Sequence, residues 1–232
     1  AEDGIRDWSV TGVQTCALPI CFLLISARNG AQELLRVSLT TDDVKVLVAK
    51  EHGVRRLVGQ ALDHAWVLAS ADPTDVHLMK VPLDGGKAPE AVTTGHGEHA
   101  VALSKSGVWA DTFMDETHLP EVSVRGPDGA QLQAVPSQAE APRFLPSAEF
   151  TQVEAEVEGV KLTFHAVVLR PRDFDSARKY PVIDSVYGGP HANVVLRDPS
   201  RLLIDQWYAD HGFIVVRIDN RGTPRRDFAW DH

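Results

Sequence analysis

The chain has 232 residues, 44% of them hydrophobic, and a formal net charge of −9 from 32 acidic and 23 basic side chains. That is enough sequence to bury one large core or two smaller ones. The acidic balance excludes a nucleic-acid surface, which needs clustered positive charge to displace counterions, and no apolar run reaches the roughly 20 residues of a membrane-spanning helix.

The chain opens on a stretch with two readings. Arg6 to Ala27 has the outline of a secretory signal, a basic residue followed by the apolar run Ala17 to Ile25 and then Ser26-Ala27. The same region resembles the translation of a short-read sequencing adapter. Ala1 to Asp7 matches one constant arm and Val10 to Ile20 the other, with Trp8-Ser9 as an index-sized gap between them. Residues 1–20 are therefore read as an adapter artefact and set aside from the fold. This voids any localisation drawn from the apparent signal, so periplasmic, secreted and cytoplasmic placements all stay open. Cys16 and Cys21 lack the C-x-x-C spacing of a zinc site, suggest no disulfide framework, and are expected to be inert.

From Cys21 the chain repeats itself. Leu34-Leu35-Arg36-Val37-Ser38-Leu39 returns 44 residues later as Leu78-Met79-Lys80-Val81-Pro82-Leu83, and more weakly at Val122 to Pro127. Phe22 to Ala27 maps onto Trp66 to Ala71, His52-Gly53 onto His96-Gly97, and Asp84-Gly85 onto Asp128-Gly129 at the same offset. Short apolar or alternating runs separated by turn signals, about four to each repeat of this length, are the pattern of a β-propeller blade. Residues 21–137 are thus expected to form a partial propeller of about 2.5 blades. The rival is an all-β sandwich whose spacings coincide. Trp66, Trp109 and Trp207 read as core. His96, Glu98 and His99 read as a loop rather than a metal site, and Glu98, Glu116 and Glu121 as solvated.

A polar, proline-bracketed linker near Ser137 to Pro142 changes the pattern. Thr151–Val157 alternates as an edge strand does, Lys161–Leu169 is a second strand, and Arg170 to Lys179 is a polar loop. Tyr180 to Tyr187 is an apolar strand ending in Gly188-Gly189-Pro190. Leu202 to His211 has helical spacing that predicts Leu203, Ile204 and Trp207 on the buried face, with Asp205, Gln206 and Asp210 in water. Phe213 to Ile218 reads as a buried parallel strand. Strand, helix, strand is a βαβ unit, so residues 138–232 are α/β.

Lys179 to His191, with its Tyr187-Gly188-Gly189-Pro190 turn, and Ile218-Asp219-Asn220-Arg221-Gly222-Thr223 resemble the start of the catalytic domain in the prolyl oligopeptidase family of serine peptidases, dipeptidyl-peptidase-IV-like branch. A propeller ahead of an α/β-hydrolase domain matches that family's order. The resemblance implies that Tyr187 donates to the oxyanion hole, while Arg221 reads as a structural hydrogen-bonder in its loop rather than a catalytic group. Taken alone, Tyr187 reads equally as a core aromatic beside an ordinary turn, and burial separates the two readings. No serine has glycine two residues before and two after it, the arrangement of a nucleophile elbow. By the resemblance, the serine, aspartate and histidine of the triad follow His232, so Asp219, Asp227, Asp231 and His232 do not fill those roles. The chain is then a fragment without turnover of its own. The parent is expected to hydrolyse short peptides through an acyl-enzyme, releasing N-terminal dipeptides, with no cofactor, no metal and a homodimeric full-length form. An acylaminoacyl-peptidase, an oligopeptidase, an esterase on the same fold and a catalytically inactive propeller/hydrolase-like binding protein are the alternatives.

Overall fold

The computed structural model describes residues 13–15 and 21–231, arranged as four four-stranded sheets. The first three are antiparallel meanders in which each strand pairs with its neighbour in sequence. The first holds β1 (Val13–Thr15), β2 (Cys21–Ser26), β3 (Glu33–Ser38) and β4 (Val44–Val48). The second holds β5 (Val54–Ala61), β6 (His64–Ala69), β7 (His77–Pro82) and β8 (Glu90–Ala91). The third holds β9 (Glu98–Leu103), β10 (Trp109–Asp115), β11 (His118–Arg125) and β12 (Gln131–Val135).

The sequence repeat lands on equivalent places. Its best-matched segment is β3 in the first sheet and β7 in the second, and its weaker third copy ends β11. Each His-Gly pair lies immediately before the first strand of the next sheet. Gly53 has φ +58°, and a Cβ there would stand 2.0 Å from the Ser70 carbonyl oxygen, so only glycine lets the chain enter β5 so close to the end of β6. The Asp-Gly turns close on their aspartates: Gly86 N–H donates to Asp84 Oδ1 at 2.8 Å and Ala130 N–H to Asp128 Oδ1 at 3.1 Å.

The meanders stack face to face. Leu23, Ile25 and Leu34 of the first sheet pack with Ala65, Val67 and Val81 of the second. On the other face of the second sheet, Trp66 and Leu78 meet Val101 and Trp109 of the third. The two indoles lie 6.3 Å apart, and Trp109 Nε1 donates to the Gly126 carbonyl at 2.9 Å. A strand shows a different face every second residue, so a sheet with neighbours on both sides is apolar on both. Val67 and Leu68, adjacent in β6 and both buried, fall into different clusters for that reason.

Of residues 1–20, only Val13–Thr15 are among the described residues, and the rest of that expectation lies outside them. Val13 pairs with Leu24 and Thr15 with Phe22. A sheet edge offers unpaired N–H and C=O groups to any extended segment, so this pairing follows from the backbone whatever the segment's origin. Cys21 is disulfide-bonded, which corrects the expectation that it is inert.

Beyond an exposed stretch over residues 131–141 comes the fourth sheet, with β13 (Ala148–Val157), β14 (Val160–Leu169), β15 (Val182–Asp184) and β16 (Ile214–Ile218) in the order β13-β14-β16-β15. β13, β14 and β16 run antiparallel, while β15 is parallel to β16. The parallel pair is joined through α1 (Leu203–Asp210), which makes the βαβ unit. A short α2 (Phe228–Asp231) follows. Val167, Leu169 and Val215 of the sheet pack with Val195, Leu202 and Ala209.

The orientation of α1 reverses the prediction. Asp205 and Gln206 are 3% and 2% exposed, whereas Ile204 and Trp207 are 56% and 53% exposed, with Leu203 also outside. The buried positions 202, 205, 206 and 209 form a proper helical stripe, turned about 160° from the expected one, nearly to the opposite face. Tertiary partners explain it. The Asp205 carboxylate pairs with Arg217 of β16. The Gln206 amide accepts from Ser147 N–H at 2.8 Å and donates to the Arg170 carbonyl at 3.1 Å and to Asp210 at 2.9 Å. A buried polar group is tolerated when fully bonded. Trp207 is therefore not core; it lies outside against His211, ring centroids 4.1 Å apart.

Candidate active site

The parallel strands β15 and β16 end at the same edge of the fourth sheet, and the chain leaving β15 carries Tyr187. In α/β sheets ligands bind outside the carboxyl ends of such strands. Ser185 N–H donates to the Val216 carbonyl at 2.8 Å and extends the ladder one step past β15. Tyr187 follows at 49% exposed, so it is not a core aromatic. Gly188 has φ +67°, and a Cβ on Gly189 would fall 2.9 Å from Tyr187 Cε1. The absence of a side chain at Gly189 thus lets the phenol ring fold back over its own turn. His191, just beyond, is exposed.

A buried carboxylate fixes the rest of this loop. Asp219, 1% exposed and just past β16, accepts Val194 N–H at 2.6 Å and Val195 N–H at 3.3 Å on Oδ1, and Asn193 Nδ2 at 3.0 Å on Oδ2. Charge-assisted bonds of this kind are roughly twice as strong as neutral ones. Asp219 therefore holds the segment between Tyr187 and α1. The Ile218-to-Thr223 motif drew attention to it without showing this role.

The fourth sheet meets the meanders through polar contacts. Arg197 Nε lies 2.8 Å from Asp75 Oδ1 and its Nη1 3.1 Å from Glu116 Oε2, with the guanidinium 4.6 Å from the Phe150 ring. Asp75 also accepts Gly97 N–H at 3.0 Å and faces His96 Nδ1 at 3.1 Å. Arg225 Nη1 donates to Glu98 Oε1 at 3.2 Å and to the Pro73 carbonyl at 3.0 Å. Phe228 N–H reaches the Gly30 carbonyl at 2.8 Å. None of the three buried apolar clusters found among the described residues includes side chains from both sides of this seam.

These contacts correct two readings. Glu98 and Glu116 are not solvated loop residues but ion-pair partners of Arg225 and Arg197; Glu121 is exposed, on β11. His99 is likewise not in a loop. It is buried in β9 with Nδ1 3.0 Å from Asp111 Oδ1, and Arg125 lies on the other oxygen of that carboxylate. No group of three or more His, Cys, Asp or Glu side chains suited to a metal ion comes together among the described residues. Arg221 Nη1 lies 3.4 Å from Glu158 Oε2.

A cavity of about 1540 Å³ opens along the seam, lined from the meander side by residues such as Arg55, Arg56 and Glu98 and from the other by His165, Arg225, Arg226 and Trp230. Tyr187 does not line it. Burial, aided by the nearby Arg226 and Arg197, outweighs the pull of Asp72 and holds the His165 imidazole below its ordinary value. Burial also lowers Arg55 to about 9, with Arg225 adding to the effect, and Arg55 still carries its charge at neutral pH.

Known proteins similar to the chain share its pattern. It is 33% identical over 171 residues to "Probable dipeptidyl-aminopeptidase B" of Tuber melanosporum, covering 68% of this chain and 18% of that protein. It is 32% identical over 163 residues to the protein of that name from Emericella nidulans, covering 65% of this chain and 17% of the relative. The chain thus spans less than a fifth of the length of these relatives. Among solved structures, Porphyromonas gingivalis dipeptidyl peptidase 4 superposes with a TM-score of 0.81 over 94% of this chain and 31% of that one, at 20% identity. No family model matches. In sequence the chain is thus similar to dipeptidyl-aminopeptidases, and its fold is that of the dipeptidyl-peptidase-IV-like structures.

Proposed function

We propose that this chain is the part of a dipeptidyl peptidase in which bladed sheets hand over to the catalytic domain. Residues 21–137 act as propeller blades, about 2.5 of them by the repeat, and residues 138–232 begin the α/β-hydrolase domain. The parent protein hydrolyses short peptides, releasing N-terminal dipeptides through an acyl-enzyme. The nucleophile, aspartate and histidine come from sequence outside these 232 residues, so the chain alone has no turnover.

The observation that carries this reading is the half-exposed phenol of Tyr187 at the carboxyl end of a parallel strand, its ring lodged over Gly189. Attack on a peptide carbonyl gathers negative charge on its oxygen. A hydroxyl already in place donates to that oxygen without reorganising, and losing one such donor costs on the order of 10²–10³ in kcat, about 3–4 kcal/mol. The test is Tyr187→Phe in the full-length protein with a chromogenic dipeptidyl substrate. The expected result is a fall in kcat of about that size with KM little changed. An unaltered kcat would remove Tyr187 from the reaction.

A further inference from the structure

The loop that carries Tyr187 is tied to the sheet at two points, one on β16 and one just past it. At its start Ser185 N–H donates to the Val216 carbonyl. At its far end Asn193, Val194 and Val195 converge on the carboxylate of Asp219. Between the ties, residues 186–192 form no hydrogen bond among the described residues, and all but Gly189 and Ala192 are exposed. Asn193 then turns inward, at 7% exposed. The middle of the loop therefore takes its place from its two ends.

Both anchors are themselves held. Val216 is paired on either side, with Val168 of β14 and Asp184 of β15. Asp219 N–H donates to the His165 carbonyl at 3.1 Å, which carries the β14 ladder past the end of β16. Asn193 adds a further hold on the loop. Its Nδ2 donates to Asp219 Oδ2 and, at 3.1 Å, to the Pro224 carbonyl. Both of those oxygens are acceptors, which settles the orientation of the amide and leaves Asn193 Oδ1 buried without a donor. An unpaired buried oxygen is costly, and only the tie that Nδ2 makes offsets that cost.

We propose that Asp219 and Asn193 are positioning residues: through the loop they pin, they set where the phenol of Tyr187 stands at the carboxyl end of β15. The missing side chain at Gly189 lets the ring lie on its own turn, and the two ties fix that turn to the sheet. A hydroxyl serves an oxyanion only when it stands within about 2.7–3.1 Å of it, and a displacement of about 1 Å costs up to about 10²-fold in rate. The effect on turnover rests on the proposed role of Tyr187; the placement of the ring does not.

Two measurements test it. The chain has three tyrosines, Tyr180, Tyr187 and Tyr208, so fluorotyrosine labelling gives three fluorine resonances, and Tyr187→Phe identifies its own by loss. Asp219→Asn and Asn193→Ala should each move or broaden the Tyr187 resonance and leave the other two in place. Each variant is checked for wild-type circular dichroism, so that one misfolded variant leaves the other to decide. In the full-length protein, with a chromogenic dipeptidyl substrate, each should lower kcat by about 10–100-fold with KM little changed. Beside Tyr187→Phe the same substitutions should cost less than about twofold, since residues that act as one unit do not add. An unmoved Tyr187 resonance in a folded variant, a shift of all three resonances together, or kcat losses that persist in full beside Tyr187→Phe overturns the proposal. If Tyr187→Phe alone leaves kcat unaltered, the catalytic reading of Tyr187 fails, and the resonance alone decides the placement.

Discussion

Replacing Arg197 with methionine tests whether the seam is held by charge. The guanidinium is buried between Asp75 and Glu116 and rests on Phe150. Its removal leaves the Asp75 carboxylate, 5% exposed, without its cation. Breaking a buried pair from one side costs about 3–5 kcal/mol. Asp75 keeps Gly97 N–H and His96, so the loss should sit near about 3 kcal/mol, the low end of that range. For a chain of this size each kcal/mol moves the melting midpoint by about 2–4 °C, giving a drop of roughly 6–12 °C. Adding Asp75→Asn should recover part of that, because removing both partners leaves no orphaned charge. Thermal unfolding followed by circular dichroism reads both. If Arg197→Met melts with the wild type, or if the two substitutions simply add, the ionic account of the seam is wrong.

Acid should weaken the fold before its carboxylates protonate. Burial depresses the pKa of both His77 and His165, so between those folded-state values and the unfolded value of about 6.5 the unfolded chain binds more protons. The stability contributed by the neutral rings is complete above about pH 6.5 and is lost as pH falls through the depressed values. Urea midpoints should decline from pH 7 to 5, with a shallower slope in His165→Gln; parallel slopes would exclude His165. Gly53→Ala should cost about 2 kcal/mol or more, since it adds left-handed strain to a collision with the Ser70 carbonyl. Gly30→Ala, with φ +92° and nothing within 4 Å of its Cβ, should cost less by the same denaturation assay, and an equal loss at both would show that the collision is relieved.

What could be read in the sequence was whatever is decided locally. The repeat found β3 and β7 because a strand's apolar pattern and an Asp-Gly turn are both written within a few residues. The Tyr187 turn was visible for the same reason, since Gly188 and Gly189 act on their immediate neighbours. The orientation of α1 was not, because hydrophobicity favours Leu203, Ile204 and Trp207 for the inside and only the distant Arg217 and the Arg170 carbonyl reverse it. Glu98 looked solvated because its partner Arg225 lies 127 positions away. The cavity was invisible altogether. It is assembled from loops and strand ends whose meeting no periodicity encodes.

The strand order of the fourth sheet constrains the path to the native state. Each meander closes hairpin by hairpin, so its contacts are near in sequence and quick to form. β16 instead must slip between β14, which ended at Leu169, and β15, after the intervening loop and α1 are made. Loop-closure entropy is paid before such a non-local pairing yields anything. Until β16 arrives, β14 and β15 each present a raw flank, and on a ribosome that interval lasts at least as long as synthesis of the residues between them.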